Sequence, residues 1–423
     1  MSRIPPRWTL RVWLVAACAT ALATLEATSL MPPQTYPGSQ PRFGVASGPP
    51  EPVFAAHRGL LTAVGALRSA AAQAEVGMRP GIVRAVGTHL VVDGQPWRFL
   101  GFNDYQLTSQ TYAAGFTCGG QHTDAAVAAD FADMHRLGVT VVRTWFFQSF
   151  VAGRTWTAFD RVLADAAKNS IRVIPVLSTQ WGDCENFNHA PLAYKSLAWY
   201  RSDYMTQPDY GMPLSYHDYA VMVAQHYAGD PRIAFWQLMN EAEAADSRGG
   251  GCNEHDAAAT LRAFADNMTA AVKSADPYHL VSLGTSGGGQ CGSVGADYAY
   301  INGGSIDICE YHDYATTPVT APRVNLCSGL QKPLFVGERG FKADLGSGAV
   351  TSQTLQQRAR YFATDIQGSL GADACQGYLL WSWSRGPSVS YDVSPSDPTA
   401  AVLVSAMSLA SAEAVYLAVT RAG

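Results

Sequence analysis

The chain has 423 residues, 48% of them hydrophobic, with 29 Lys and Arg against 34 Asp and Glu and a formal net charge of -5. That length holds one large domain or two ordinary ones, and the apolar fraction is ample for a large core. A mild negative charge with no Lys/Arg run argues against a nucleic-acid partner and against a surface built for anionic membranes.

Residues 1–30 read as an export signal. Arg3, Arg7 and Arg11 precede the apolar run Val12 to Leu25, and small residues follow at Ala27, Thr28 and Ser29. Two other readings stay open: an uncleaved signal-anchor, although the run is short for a spanning helix, and a lipoprotein cleavage box at Val15 to Cys18. Membrane contact is expected only through such an anchor. Residues 31–80 are rich in Pro, Gly and Ala and predict a linker or arm, in which His57 to Ala74 has the composition of an Ala-rich helix.

A domain over 81–423 follows. It opens with a hairpin pattern: Ile82 to Val92, an Asp93-Gly94 turn, then Trp97 to Phe99. Eight buried-strand patterns come next: Phe99 to Asn103, Val139 to Thr144, Ile171 to Leu177, Ile233 to Asn240, Leu280 to Leu283, Ile306 to Glu310, Leu334 to Gly337 and Tyr378 to Trp381. Helical spacing lies between and after them, over Asp124 to Leu137, Thr155 to Asn169, Tyr216 to Tyr227, His255 to Ser274, Ser352 to Leu370 and Ala400 to Val419. The fifth and sixth crossovers look short or irregular. Eight strands interleaved with helices over about 340 residues, opened by a hairpin plug, predict an α/β fold, the (β/α)8 TIM barrel. An open doubly wound sheet competes, but no Gly-rich dinucleotide fingerprint follows the first strand.

In such a barrel, chemistry sits at the strand exits. The fourth strand ends in Asn240-Glu241 and the seventh in Glu338. The second ends in Arg143-Thr144-Trp145, the sixth runs into Glu310-Tyr311-His312-Asp313-Tyr314, and the eighth ends at Trp381. A glutamate at the exit of each of two buried strands is costly unless paired or used. Two converging carboxylates suggest glycoside hydrolysis, which needs an acid and a nucleophile or base. Glu243 and Glu310 are rival carboxylates. Gly284 to Gly289 lacks the Gly-Lys-Ser/Thr of a phosphate loop and reads as a flexible rim. No metal-ligand spacing appears and no cofactor is expected.

The chain here resembles clan A glycoside hydrolases, and within them family 5, which contains cellulases and β-mannanases. The resemblance covers about 82–423 and rests on the Asn-Glu pair, the His-x-Tyr, the second glutamate, the final tryptophan and the run Val141 to Phe146, which is similar to a mannanase strand-two motif. The third strand departs from the cellulase pattern, ending Leu177-Ser178-Thr179-Gln180-Trp181 where many cellulases carry a histidine. The resemblance implies that Glu241 is the general acid/base, with a raised pKa, and that Glu338 is the nucleophile. It implies that Arg143 and Tyr314 donate to Glu338 and hold its pKa down. Asn240 would meet the sugar 2-hydroxyl, His312 would orient the acid/base or a sugar hydroxyl, and Trp381 would form the sugar platform. Trp145 and Trp181 are read as further sugar-stacking rings.

The favoured function is retaining hydrolysis of a mannan- or glucan-like polysaccharide by an exported monomer or envelope-bound enzyme. Retention predicts carboxyl groups about 5–5.5 Å apart. Alternatives are an exo-acting glycosidase on an envelope polysaccharide such as galactofuran, and a non-catalytic carbohydrate-binding barrel. Of eight cysteines, Cys18 would leave with the signal. Loop positions predict the pairs Cys252–Cys291, Cys118–Cys184 and Cys327–Cys375, with Cys309 free inside its strand.

Overall fold

The computed structural model describes residues 79–108, 123–185, 194–208, 212–315, 320–371 and 374–406, all within the compact unit 58–423. The export signal, the linker, Cys118 and the end of the last predicted helix lie outside the described residues. No helix among the described residues is long and apolar enough to cross a membrane.

The first three strands, β1 (Val83–Val86), β2 (His89–Val92) and β3 (Gln95–Pro96), form a small antiparallel sheet. Asp93 and Gly94 take φ of 50° and 79°, the left-handed pair that a tight hairpin turn requires. The expected single hairpin is in fact two. The run Ile82 to Val92 folds back on itself at Gly87-Thr88, where it carries no apolar side chain.

Eight parallel strands follow: β4 (Phe99–Asn103), β5 (Val141–Trp145), β6 (Arg172–Val176), β7 (Trp236–Gln237), β8 (Val281–Ser282), β9 (Cys309–Asp313), β10 (Leu334–Arg339) and β11 (Gly377–Trp381). They pair in the order β8-β7-β6-β5-β4-β11-β10-β9, and a bridge from Ser282 to Ile308 closes the ring as a (β/α)8 barrel. The crossovers carry α1 (Asp124–Arg136), α2 (Thr157–Lys168), α3 (Tyr216–His226), α4 (Glu254–Ala275), α5 (Ala296–Asn302), α6 (Thr320–Gly329) and α7 (Ser352–Ile366). Polar caps start several of them: Thr123 accepts from Ala126 N, Asn253 from Asp256 N, and Thr351 and Thr354 close a capping box. The fifth crossover helix is the short α5, as its weak pattern predicted.

Side chains alternate in and out along each strand. The outward set, such as Leu100, Val142, Val173, Tyr311, Val336 and Leu380, packs with helix residues such as Phe131, Phe159, Leu261 and Phe362. The inward set begins with an apolar layer of Phe99, Val141, Ile174, Phe235, Leu280, Ile308, Phe335 and Leu379, at or beside the start of six strands and mid-strand in β6 and β11. Val83 and Leu90 of the small sheet pack on that layer and close the barrel base. Two residues further along, four of the inward positions are polar: Arg143, Gln237, Ser282 and Glu310.

β10 breaks the alternation. Against β9, Phe335 and Val336 align with Glu310 and Tyr311, but Glu338 aligns with His312, so Gly337 is one residue extra. This bulge turns Glu338 inward, beside His312. Only glycine fits at the bulge, because a Cβ there would lie 1.9 Å from Glu310 Oε1. β7 is shorter than its apolar run predicts. The amides of Leu238 and Met239 both donate toward β8, and that irregularity ends the ladder as the chain turns Asn240 and Glu241 into the barrel mouth.

Candidate active site

Arg143 stands at the centre of the polar layer, 1% exposed. A buried guanidinium is tolerable only with its donors satisfied. Its Nε donates to Gln237 Oε1 at 2.7 Å, one Nη to Asn103 Oδ1 at 2.7 Å and Glu338 Oε1 at 2.8 Å, and the other to Asn240 Oδ1 at 2.6 Å. Asn103 is held in turn by donating to the carbonyls of Gly337 and Leu380. One side chain thus ties β4, β5, β7 and β10 together beneath the mouth of the barrel.

His312 joins three carboxylates. Its Nδ1 lies 2.9 Å from Glu241 Oε1 and 3.3 Å from Glu338 Oε2, and its Nε2 lies 3.2 Å from Glu310 Oε1. Carboxylate oxygens of Glu241 and Glu338 come within 4.8 Å of each other. Tyr314 donates to Glu338 Oε2 at 2.5 Å, and Trp181 Nε1 donates to Glu241 Oε2 at 2.7 Å. Glu241 sits at a φ of 59°, and Gln290 Nε2 donates to its carbonyl at 3.1 Å. Glu241, His312 and Glu338 are close enough to hold a cation. Both His312 nitrogens and the carboxylates are, however, already engaged in these hydrogen bonds.

Burial pushes Glu338 above the ordinary glutamate range; His312 and Arg143 pull it back, and the Glu241 charge adds to the rise. Burial alone would raise Glu241 too, but His312, with help from Trp181 and Arg143, holds it below that range. Burial disfavours a charged His312, yet Glu338, Glu241 and Glu310 together push its pKa up to about 10. Burial and the Glu338 charge keep the Tyr314 hydroxyl protonated as a donor. The two glutamates therefore stand opposite to the sequence expectation of a raised Glu241 and a lowered Glu338. The cause is the imidazolium, which lies nearer Glu241. At neutral pH the ring carries the proton that these groups share.

Aromatic rings line the mouth. Trp381 stacks on Tyr105 with centroids 5.5 Å apart and planes 6° from parallel. Trp145 lies beneath them, 1% exposed, against Tyr105 at 4.7 Å and Phe147 at 4.8 Å. Its expected part as a sugar-stacking ring is corrected to one of support, because its faces are covered by those neighbours. Trp181 is half-buried, with Arg248 5.2 Å over its ring and its N–H on Glu241. Tyr391 packs edge-on against Tyr314 at 5.1 Å.

Of the rival carboxylates, Glu310 points inward and is 1% exposed, whereas Glu243 accepts from Tyr194 at 2.6 Å away from the network. Sequence reasoning missed Asn103, Gln237 and Ser282. Each has the inward parity of Arg143 or Glu310, and counting in twos along the strands was the signal for them.

Cys252 and Cys291 are bridged with Cα atoms 5.7 Å apart, as expected. Cys184 is disulfide-bonded, and its expected partner Cys118 lies outside the described residues. The third pair is a correction. Cys309 bridges Cys327, with Cα atoms 6.3 Å apart, and among the described residues Cys375 is the free thiol. Cys309 has outward parity on β9 and faces the helix layer that holds Cys327 on α6.

A family model described as cellulase (glycosyl hydrolase family 5) matches residues 120–368. A mannan endo-1,4-β-mannosidase of Oryza sativa subsp. japonica is 28% identical over 49% of this chain, and the match spans 57% of that enzyme. Mannan endo-1,4-β-mannosidase F of Aspergillus fumigatus is 23% identical over 74% of this chain and 73% of its own length. Among solved structures, an endo-1,4-β-mannanase from Rhizomucor miehei shares the fold with a TM-score of 0.58 at 20% identity, over 78% of this chain and 99% of that one. An exo-β-1,4-mannosidase from Opitutaceae bacterium strain TAV5 shares it with a TM-score of 0.55 at 16% identity, over 80% of this chain and 63% of that one.

Proposed function

Because the chain belongs to glycosyl hydrolase family 5, we propose that it is an exported, retaining β-glycoside hydrolase that cleaves a mannan-like polysaccharide by double displacement. The observation that carries this reading is the approach of carboxylate oxygens of Glu241 and Glu338 to within 4.8 Å, with His312 touching both. An inverting pair stands roughly 6.5–9.5 Å apart to admit a water, and a retaining pair about 5–5.5 Å.

Glu338 attacks the anomeric carbon, oriented by Arg143 and Tyr314. Glu241 protonates the departing oxygen, then takes a proton from the water that releases the sugar. Asn240 has its amide oxygen on Arg143 and one N–H facing Thr179, so its other N–H is available to the sugar 2-hydroxyl. Trp381, braced by Tyr105, offers the platform. Mannan is favoured over glucan by the names of the relatives, and the disulfides suit an oxidising compartment outside the cytoplasm. Exo action on an envelope polysaccharide is the second reading. It rests on the long loops after β6 and β7, the latter tied down at Cys252. A non-catalytic binding barrel would have no need of the buried Arg143–Glu338–His312 network, which is costly to keep.

Turnover on defined β-mannan, β-glucan and galactofuran, with the first-formed anomer read by proton NMR, tests the proposal. Mannan cleavage with a β-anomer first is expected. An α-anomer first would mean inversion, and binding without turnover on all three would leave a lectin-like barrel.

A further inference from the structure

Glu310, the third buried carboxylate, has no part in the double displacement. It lies inside the barrel, one layer below the mouth. Its Oε2 accepts from Gln237 Nε2 and from Ser282 Oγ, the latter at 2.9 Å, and its Oε1 faces His312 Nε2 at 3.2 Å. The Gln237 amide is not free to turn. Its oxygen must accept from Arg143 Nε, since a guanidinium only donates, so its N–H2 is aimed at Glu310. Glu310 therefore acts as an acceptor on every side, and the proton between it and His312 sits on Nε2.

We propose that Glu310 is a positioning residue that pins one His312 proton on Nε2, so that the proton on Nδ1 is the one passed to Glu241 for catalysis. This rests on the reading of Glu241 as the acid/base. The charged and titratable groups around the ring are consistent with it. Glu241 follows β7 and Glu338 comes from β10, both at Nδ1; Glu310 of β9 meets Nε2. Arg143 of β5 is spent on Glu338 and neutral amides, and the Tyr314 hydroxyl is on Glu338.

In the step, the Nδ1–H bond breaks and an O–H bond forms on Glu241. An imidazolium and a carboxylate become a neutral ring and a neutral acid, while the Glu310 carboxylate keeps the donors of Gln237, Ser282 and the remaining Nε2–H. Glu241 then gives that proton to the glycosidic oxygen as the C–O bond breaks and a Glu338 oxygen takes the anomeric carbon. Water restores the proton to Glu241 in the second half. Without Glu310, a neutral ring can keep its single proton on Nδ1 and hold Glu241 as the carboxylate, the wrong form for an acid.

Glu310→Gln tests this. The donors from Gln237 and Ser282 claim the new amide oxygen, so its N–H2 turns to Nε2 and drives the ring proton to Nδ1. Nitrogen-15 NMR of histidine-labelled enzyme at neutral pH, with His312→Asn to assign the signal, should show both ring nitrogens protonated in the wild type and, in Glu310→Gln, a neutral ring with its single proton on Nδ1. Turnover of polymer and of glycosides with poor leaving groups should fall roughly 100-fold, while dinitrophenyl glycosides change little. A Glu310→Gln ring that still carries a proton on Nε2, or equal losses on both substrate types, overturns the proposal. If Glu310→Gln does not fold, Glu310→Asp keeps the charge but withdraws it from Nε2, and the same split is expected at smaller size; equal losses overturn the proposal there too. Glu241→Ala is the reference. If it fails to spare dinitrophenyl glycosides, the acid/base reading itself falls; if it spares them while the Glu310→Gln ring keeps its Nε2 proton, only the role of Glu310 falls.

Discussion

Trp181 Nε1 donates to Glu241 Oε2 over 2.7 Å, on the carboxylate oxygen that His312 does not touch. The indole favours the ionised carboxylate and is one of the groups that hold Glu241 low. Trp181→Phe keeps the ring and removes the donor, so the proton on Glu241 becomes harder to lose. The basic limb of the kcat/KM profile, where the acid deprotonates, should move to higher pH by up to about one unit. A limb that stays in place would assign Trp181 to packing alone.

The two glutamates should fail in different ways. Glu338→Ala is expected to abolish turnover, with added azide rescuing a product of inverted configuration. Glu241→Ala should spare leaving groups that need no proton, and azide should there give a product of retained configuration. Identical behaviour of both variants on activated and unactivated glycosides would show the roles to be misassigned.

Gly337→Ala places a Cβ 1.9 Å from Glu310 Oε1, on a side chain that is itself held by Gln237, Ser282 and His312. A loss of about 1–3 kcal/mol in urea unfolding is expected, together with a fall in kcat, because the same residue sets the aim of Glu338. Unchanged stability and activity would mean that the strand has an easy way to relax.

His312 links the site to stability, and the sign follows from its raised pKa. Its contribution is fully present below the unfolded value of 6.5 and is lost as pH rises through about 10. Glu241 has the opposite sign, contributing above its unfolded value of 4.5 and losing that as pH falls through its lower folded value. Urea midpoints for wild type and His312→Asn should therefore converge as pH rises from 6.5 to 10. A difference that is constant across that range would show that His312 is not charged in the fold.

Non-reducing peptide mapping should find Cys252 with Cys291 and Cys309 with Cys327, and Cys375 as a thiol. Burial pushes the Cys375 thiol up to about 12, so alkylating reagents at neutral pH should reach it only after unfolding. A Cys327–Cys375 peptide would overturn the pairing.

The barrel was legible because a buried strand and an amphipathic helix have different periods, and Phe99 to Asn103 or Thr157 to Lys168 satisfy only one each. Glu310 and His312 could be given a common face by counting two. Glu338 could not: counted from Phe335 it faces outward, and the extra residue at Gly337 appears only when β10 is aligned with β9. The hydrogen bond from Trp181 to Glu241 spans sixty residues and depends on how a loop returns to the mouth, which no local pattern encodes. Trp145 was misread for a related reason, since its inward parity is visible but the covering ring of Tyr105 is not. Cys309 was read as buried, correctly, but burial among helices and burial inside the barrel look alike in one strand of sequence.

The small sheet at the barrel base sets a practical boundary for anyone shortening this chain. Val83 and Leu90 cover an apolar ring with contributions from every barrel strand, among them Phe99, Phe235 and Phe335. A truncation beginning at Trp97 would keep every group of the polar network and yet open that ring to water from below. Sticky, aggregating protein is the expected product, and an expression boundary ahead of Arg79 avoids it.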